Sequence, residues 1–221
     1  MRVVTFVTQK GGAGKSTLAC ALAVAARLDG RRVALVDLDP QGSTAAWIDA
    51  RNKLRASSPE GKAPDEIALR KVAVSRVGVW FEEARKRDVG DVLVIVDTAG
   101  TASDDVAEAL AESDLVLVPV QPSPQDLRAL GPTLKQVKEH APGKFAFVLS
   151  RASHLQVREN AEILAVLERH GPVACTITDR IEFKRAIGLG LGPHESGAAG
   201  KAASEVDELW DFAKGKLDEQ A

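Results

Sequence analysis

QKGGAGKST, residues 9–17, is the most informative stretch of the chain. It follows an apolar run rich in β-branched residues, VVTFVT at 3–8, and it leads into the apolar segment LACALAVAA at 18–26. A buried strand, a glycine-rich turn and a helix in that order are typical of an α/β domain whose first loop binds phosphate. The stretch carries two lysines, Lys10 and Lys15, although a phosphate-binding loop needs only one.

Strand-like and helix-like patterns alternate along the chain, which predicts a parallel sheet covered by helices on both faces. The predicted strands lie at 3–8, 32–37, 91–97, 114–120, 144–150 and 173–177. The predicted helices lie at 16–28, 43–53, 77–88, 104–112, 126–139, 156–169 and 203–217. The polar segment 52–66 is interpreted as a surface loop. We expect one α/β domain over 1–221, a three-layer P-loop NTPase fold with a mostly parallel twisted sheet and no preceding helix-turn-helix domain.

The composition narrows the class of protein. The formal net charge of −2 gives no overall attraction to nucleic acid, so any such binding needs a local basic patch. Cys20 and Cys175 lie far apart and outside any metal-binding motif, which argues against a disulfide framework and an iron–sulfur site. No stretch is apolar enough to span a membrane, and the early first strand leaves no room for a signal peptide. A soluble cytoplasmic protein is expected.

The phosphate loop departs from the usual pattern, because Gln9 stands where that pattern has a glycine. Its chemistry is still sound, since glycines allow backbone N–H groups to surround an anion at the positive end of a helix. Lys15 would reach the β- and γ-phosphates, and the Ser16 hydroxyl would bind Mg²⁺. The predicted nucleotide-binding residues here are Gly11, Gly12, Ala13, Gly14, Lys15, Ser16 and Thr17.

Acidic residues end two of the predicted strands. Strand 32–37 runs into Asp37 and Asp39, and strand 91–97 closes on Asp97. Ligands of open α/β sheets bind at the carboxyl ends of strands, and an aspartate at such an end holds Mg²⁺ in phosphate-loop enzymes. Each aspartate alone could simply cap a turn. Together with the phosphate loop they predict a nucleotide–magnesium site.

Several motifs together resemble the ParA/MinD group of deviant Walker-A ATPases, and within it the small, ParF-like partition proteins. KGGAGKST at 10–17 is similar to their deviant Walker A motif, VDLDPQG at 36–42 to switch I, and VLVIVDTAG at 92–100 to Walker B. Segments 118–129 and 176–187 are less specific matches. Walker B is often followed by prolines in this family, and here it is not. The resemblance implies a magnesium-dependent ATPase that forms an ATP sandwich dimer.

The resemblance also explains the two lysines. It implies that Lys15 serves the nucleotide of its own subunit, while Lys10 reaches the phosphates of the other subunit, as an arginine finger does. Asp39 would position the attacking water.

The same resemblance implies the remaining site residues. Ser16, Asp37 and Asp97 would form the magnesium site. Ser150 and Arg151, at the end of strand 144–150, lie where this family contacts adenine.

Non-specific DNA is the partner that the resemblance implies for the ATP dimer, together with a ParB- or ParG-like protein that stimulates hydrolysis. The sequence places Arg180, Lys184 and Arg185 on about one face of a short helix, and Lys201 follows the glycine-rich segment 188–200. These residues could supply phosphate contacts on the nucleoid. The same charges are equally typical of a solvated helix face.

A MinD-like membrane ATPase is the main alternative. It requires a basic amphipathic helix near the C-terminus, whereas the polar face of predicted helix 203–217 is acidic, and we therefore expect no membrane partner. This chain lacks the cluster-binding cysteines of an electron carrier and the tyrosines of a tyrosine kinase. It also shows no substrate motif of a ligase.

Overall fold

The computed structural model describes residues 1–70, 72, 75–87, 90–197 and 200–219. Its strands are β1 (Arg2–Phe6), β2 (Arg32–Asp37), β3 (Ala68–Arg70), β4 (Val92–Asp97), β5 (Leu115–Val120), β6 (Phe145–Ala152) and β7 (Val173–Thr178). Its helices are α1 (Lys15–Leu28), α2 (Ser43–Ser57), α3 (Val77–Lys86), α4 (Asp104–Ala111), α5 (Pro124–His140), α6 (Val157–Glu168), α7 (Ile181–Gly188) and α8 (Lys201–Asp218). A short 3₁₀ helix, Pro193–Glu195, precedes α8.

The seven strands form one sheet in the order β3-β2-β4-β1-β5-β6-β7, and every strand pairing in it is parallel. Its central strands read as continuous apolar runs because both of their faces are buried. Since β1 lies between β4 and β5, the loop after β1 opens at the centre of the carboxyl edge. The predicted three-layer α/β fold is confirmed.

The helices divide between the two faces of the sheet. Helices α1, α2, α7 and α8 pack on the face that contains Val4 and Ile95, where they form the largest apolar cluster. Helices α4, α5 and α6 cover Val116 and Val118 on the other face, and α3 packs beside them near Val94. Burial of these apolar faces is the main stabilising contribution to the fold.

Two local predictions were wrong. Segment 52–66 was interpreted as a loop, but its first part continues α2 to Ser57, because residues 51–56 are mostly good helix formers and Pro59 is the first strong stop. Strand β3 was missed because it has only three residues and follows that polar segment. Residue 88 of the predicted helix 77–88 and residues 198–199 of the segment 188–200 lie outside the described residues.

Helix α8 packs its apolar side against the domain. Val206, Leu209, Trp210 and Leu217 are all buried, as their helical spacing predicts. Trp210 Nε1 also donates a hydrogen bond to Asp29 Oδ2 at 3.1 Å. Within the described residues, no helix has the length and apolarity needed to cross a membrane.

Candidate functional site

A cleft of about 780 Å³ opens at the carboxyl edge of the sheet, above β1, β2 and β4. Three loops line it: the glycine-rich loop after β1, the loop after β2 and the loop after β4. Its lining residues are Gly11, Gly12, Gly14, Lys15, Ser16, Thr17, Cys20, Asp39, Pro40, Gln41, Ser43, Ala99, Gly100, Thr101 and Ile187. The structure thus brings the predicted phosphate loop and Asp39 together in one cleft.

The glycine-rich loop accepts hydrogen bonds from a side chain that directly follows β5 and from one in β6. Gln121 Nε2 donates to the Gly12 carbonyl at 2.8 Å, and Ser150 Oγ donates to the Ala13 carbonyl at 2.7 Å. Gly14 precedes α1 with φ 95°, a left-handed conformation that a side chain would strain. The loop therefore presents the start of α1, the positive end of its dipole, to the cleft.

Lys15 lies at the floor of this cleft, and only 7% of the residue is exposed. The loop after β4 comes close to its ammonium group, since a Cβ built on Gly100 would lie 3.8 Å from Lys15 Nζ. Burying a cation is costly unless an anion compensates it. The Asp97 carboxylate interacts with this cation, and a phosphate group in the cleft would add a second anion.

Asp97 ends β4 beneath Lys15 and is fully buried. Its Oδ2 accepts a hydrogen bond from Thr44 Oγ1 at 2.7 Å, while Oδ1 has no hydrogen-bond partner among the described residues. Burial raises the pKa of Asp97 from 3.8 to about 6, and the hydroxyls of Ser16 and Thr44 partly oppose that rise. A buried carboxylate oxygen without a partner is what a bound cation or its water would satisfy.

Asp37 and Asp39 hold the loop after β2. Asp37 accepts backbone N–H groups with both oxygens, from Asp39 at 3.0 Å and from Ala45 at 2.8 Å. Burial raises the pKa of Asp37. Asp39 accepts the Gln41 N–H at 2.9 Å and faces the cleft. Asp37 therefore shapes the loop and caps α2, whereas Asp39 is available to a ligand.

The oxygen atoms of Ser16 and Asp97 suit Mg²⁺ better than they suit a metal ion that is bound only by protein side chains. Among the described residues, no three His, Cys, Asp or Glu side chains cluster as a metal site would require. Mg²⁺ usually takes one or two protein oxygens and completes its shell with water and nucleotide phosphates. Ser16 and the unpartnered oxygen of Asp97 match that requirement, and Asp37 would act only indirectly.

Lys10 points away from the cleft. Its Nζ lies 2.5 Å from Asp126 Oδ2 on the first turn of α5, and Asp126 is itself buried and contacts Ser123. The neighbouring Gln9 is tied to the same helix, because its N–H donates to Thr133 Oγ1 at 3.1 Å. The two lysines thus occupy different environments, and in this single chain Lys10 is paired with Asp126 of α5. The predicted contact of Lys10 with a second subunit stays a prediction.

A second pocket of about 440 Å³ adjoins the glycine-rich loop and is lined by residues of β6, β7 and α7. Ser150 and Arg151, the residues predicted to contact adenine, both line it, but Ser150 is buried and already bonded to the glycine-rich loop. Arg151 has a left-handed backbone, φ 55°, which is uncommon for a residue with a side chain. Its guanidinium donates to the Gly12 carbonyl at 3.3 Å. This pocket has the position and apolar walls that a nucleotide base needs.

The arrangement of basic residues around α7 differs from the single basic face that the sequence predicts. Arg180 precedes the helix, and its guanidinium lies 2.7 Å from Glu205 of α8. Lys184 is exposed, 3.6 Å from Asp179. Arg185 and Lys201 are exposed as well. The grouping of Arg180 with the other two on one helix face was wrong, because its extended backbone turns the side chain toward α8.

Sequence reasoning missed residues on α2 that contact the site region. The buried positions of this helix are Thr44, Trp47, Ile48 and Arg51. Their spacing matches one helical stripe, so the polar Thr44 and Arg51 could have been recognised as buried. Arg51 pairs with Glu195 at 2.7 Å and fixes the segment before α8.

Comparison with known proteins agrees with this architecture. The sequence pattern of the CobQ/CobB/MinD/ParA nucleotide-binding domain matches residues 4–193. Protein ParA of Rhizobium radiobacter is 34% identical over 140 residues, which are 63% of this chain and 57% of that protein. The maintenance of carboxysome distribution protein A of Halothiobacillus neapolitanus is 28% identical over 208 residues, 90% of each chain.

Solved structures share the fold at low sequence identity. The MinC:MinD cell division complex of Aquifex aeolicus gives a TM-score of 0.78 at 17% identity, covering 97% of this chain and 96% of that one. A Borrelia burgdorferi protein described as a putative plasmid partition protein bound to AMPPNP gives 0.75 at 16% identity, covering 98% and 99%.

Proposed function

This chain belongs to the CobQ/CobB/MinD/ParA family of nucleotide-binding domains, a family of ATPases, and we propose that it is an ATP-dependent dimerising partition ATPase. One observation carries the proposal: a single cleft contains Lys15, Ser16 and Asp39, and close to it lies a buried oxygen of Asp97 that has no partner among the described residues. This arrangement suits phosphoryl transfer to water, where positioning and charge stabilisation supply most of the catalysis.

Each residue of the cleft has a distinct role in the proposed hydrolysis. The loop N–H groups and Lys15 bind the β- and γ-phosphates and stabilise the charge that develops on them. Asp39 orients the attacking water, and Ser16 and Asp97 would hold Mg²⁺. When bound, Mg²⁺ would neutralise phosphate charge and fix the phosphate geometry. Ser150 and Arg151 shape the base pocket.

Lys10 acts across the dimer in this proposal. In the single chain it is paired with Asp126, outside the cleft that Lys15 lines. A partner subunit that brings its own nucleotide to this face offers Lys10 a stronger anion than Asp126. Exchange of one partner for the other would couple dimer formation to ATP.

Asp126→Asn tests that exchange. The substitution removes the competing charge, so ATP-dependent dimers should form at an ATP concentration about twofold to fivefold lower, the range expected for a partly exposed ion pair. Dimer fraction is measured by light scattering across an ATP titration. Glu139→Gln, an exposed position on the same helix, is the matched control. A shift to higher ATP concentration in Asp126→Asn would contradict the exchange.

Non-specific DNA is the proposed ligand of the ATP dimer, which places the protein on the nucleoid in the cytoplasm. Lys184, Arg185 and Lys201 are exposed and would contact phosphates in each subunit, so a dimer doubles their number. Arg180 contributes less, since Glu205 already compensates its charge. A ParB- or ParG-like partner would stimulate hydrolysis and release the DNA.

Duplex binding measured by fluorescence anisotropy tests this part. With ATP, the double substitution Lys184→Gln and Arg185→Gln should lower the affinity for DNA. It should also reduce the slope of log affinity against log salt concentration by about one unit per lost phosphate contact. Lys53→Gln with Lys62→Gln removes the same charge from exposed positions elsewhere. Equal losses in both double variants would mean that only net charge matters. Binding that ignores the nucleotide would contradict the proposed switch.

A MinD-like membrane ATPase is the second candidate, favoured by the structural likeness to MinD. It is the weaker one because the apolar side of α8 is already buried against α1 and β7. Co-flotation with anionic vesicles in ATP decides between them: recovery of the chain with the vesicles would favour the membrane function. Similarity to the carboxysome distribution protein makes a protein assembly a possible cargo beside a plasmid or chromosome.

A further inference from the structure

The first turn of α2 is attached to two neighbouring strands at once. Asp37, at the end of β2, accepts the Ala45 N–H, and Asp97, at the end of β4, accepts the hydroxyl of Thr44. Residues 38–42, which include Asp39, form the short loop that connects β2 to α2. The position of Asp39 in the cleft therefore depends on where α2 begins.

Thr44 makes the more unusual of the two attachments. It is fully buried, and its Oγ1 lies 2.7 Å from Asp97 Oδ2. Its other polar neighbour is Cys20, whose sulfur lies 3.9 Å from the same hydroxyl and is a weak donor. A threonine near a helix start can bond instead to backbone groups of its own helix. Here the hydroxyl is committed to a carboxylate, a charge-assisted bond that is stronger than a neutral one.

The bond fixes the orientation of the Asp97 carboxylate. With Oδ2 tied to Thr44, Oδ1 is buried without a partner among the described residues. A half-turn of the carboxylate exchanges two equivalent oxygens and restores the same bond, whereas a smaller rotation would break the bond to Thr44. Outer residues that orient a metal-binding carboxylate in this way commonly contribute 10- to 100-fold to metal affinity or activity.

We propose that Thr44 is a positioning residue that orients Asp97 toward Mg²⁺ and links that orientation to the loop carrying Asp39. The inference rests on the proposed magnesium-dependent ATPase function. It assigns to α2 a part in the site that the phosphate-loop and aspartate motifs do not include.

Magnesium titrations of nucleotide binding test the inference without relying on turnover. Binding of a fluorescent, non-hydrolysable ATP analogue is followed by anisotropy in the full chain, from EDTA to millimolar Mg²⁺. The variants are Thr44→Val, which replaces the hydroxyl by a methyl, Thr44→Ala, and Thr44→Ser, which keeps the hydroxyl. Thr5→Val is the matched control, because Thr5 is equally buried but faces the opposite side of the sheet and contacts Ser113.

Thr44→Val and Thr44→Ala should raise the half-saturating Mg²⁺ concentration about 10- to 100-fold. Their binding in EDTA should stay unchanged, and Thr44→Ser and Thr5→Val should titrate like wild type. A wild-type titration in Thr44→Val would overturn the inference. So would impairment of Thr44→Ser, which remains decisive if the other two variants fail to fold. If wild-type binding ignores Mg²⁺, the proposed magnesium role itself fails.

Discussion

The end of the cleft that contains Lys15 and the surface around α7 and α8 both contain charged side chains, but the two regions differ in how those charges are buried and paired. Near that end of the cleft, Asp97 is buried with one oxygen unpartnered among the described residues, and Lys15 is buried nearby. Around α7, Arg180 is paired with Glu205 and Lys184 faces Asp179. A buried carboxylate oxygen without a partner among the described residues indicates a ligand site more reliably than exposed charge does.

The largest expected effect comes from Lys15. Lys15→Ala removes the buried cation at the phosphates and should lower ATP hydrolysis by about 10²- to 10³-fold, as loss of one oriented charge-stabilising group does. Nucleotide binding should weaken as well. A malachite-green phosphate assay and nucleotide anisotropy measure both effects. Lys62→Ala, an exposed lysine, is the control and should behave as wild type. Unchanged nucleotide binding in Lys15→Ala would contradict the proposed difference between buried charge in the cleft and exposed charge around α7.

Asp97→Asn tests the cost of the buried carboxylate in the nucleotide-free chain. Burial raises the pKa of Asp97 from 3.8 to about 6. The folded state thus holds the proton more tightly than the unfolded chain, and stability falls as pH rises from about 4 to about 6. Asp97→Asn removes this loss and should raise the free energy of unfolding by about 3 kcal/mol at pH 8 and about half as much at pH 5.

Urea unfolding of both proteins at the two pH values measures that difference. Asp114→Asn is unsuitable as a control because Asp114 bonds to Val3 and Arg2. Exposed Asp49 on α2 is suitable, because Asp49→Asn leaves Asp97 in place and should keep the wild-type fall in stability between the two pH values. A variant of Asp97 that is less stable than wild type at pH 8 would show that the carboxylate is compensated after all.

The smallest expected effect lies at α8. Glu205→Gln removes the negative charge beside Arg180 and retains an oxygen that can accept from Thr178. Freed from its ion pair, Arg180 should strengthen ATP-dependent duplex binding a few-fold. The slope of log affinity against log salt concentration should become steeper by about one unit. Glu208→Gln, an exposed acid on the same helix, is the control. Identical salt slopes for both variants would show that Arg180 does not reach DNA.

The sequence predicts that the glycine-rich loop, Asp39 and Asp97 lie at one edge of the sheet, because each of these features is local in the chain. Strand, glycine-rich loop and helix are consecutive. Asp97 ends β4 and Asp39 lies two residues beyond the end of β2, so the parallel sheet brings them to one edge. Contacts between distant elements were beyond prediction. Lys10 meets Asp126 across 116 residues, and Thr44 meets Asp97 across 53. Arg180 was misplaced because only the fold brings Glu205 beside it.

The two-lysine account is tested most directly by size-exclusion chromatography with light scattering. Asp39→Ala should bind ATP without hydrolysing it and should therefore accumulate as a dimer in ATP and a monomer in ADP. Adding Lys10→Ala should abolish the dimer while ATP binding persists, because Lys15 still serves each subunit's own nucleotide. A protein that stays monomeric in ATP, or that dimerises equally with and without Lys10, would contradict the cross-subunit role of Lys10.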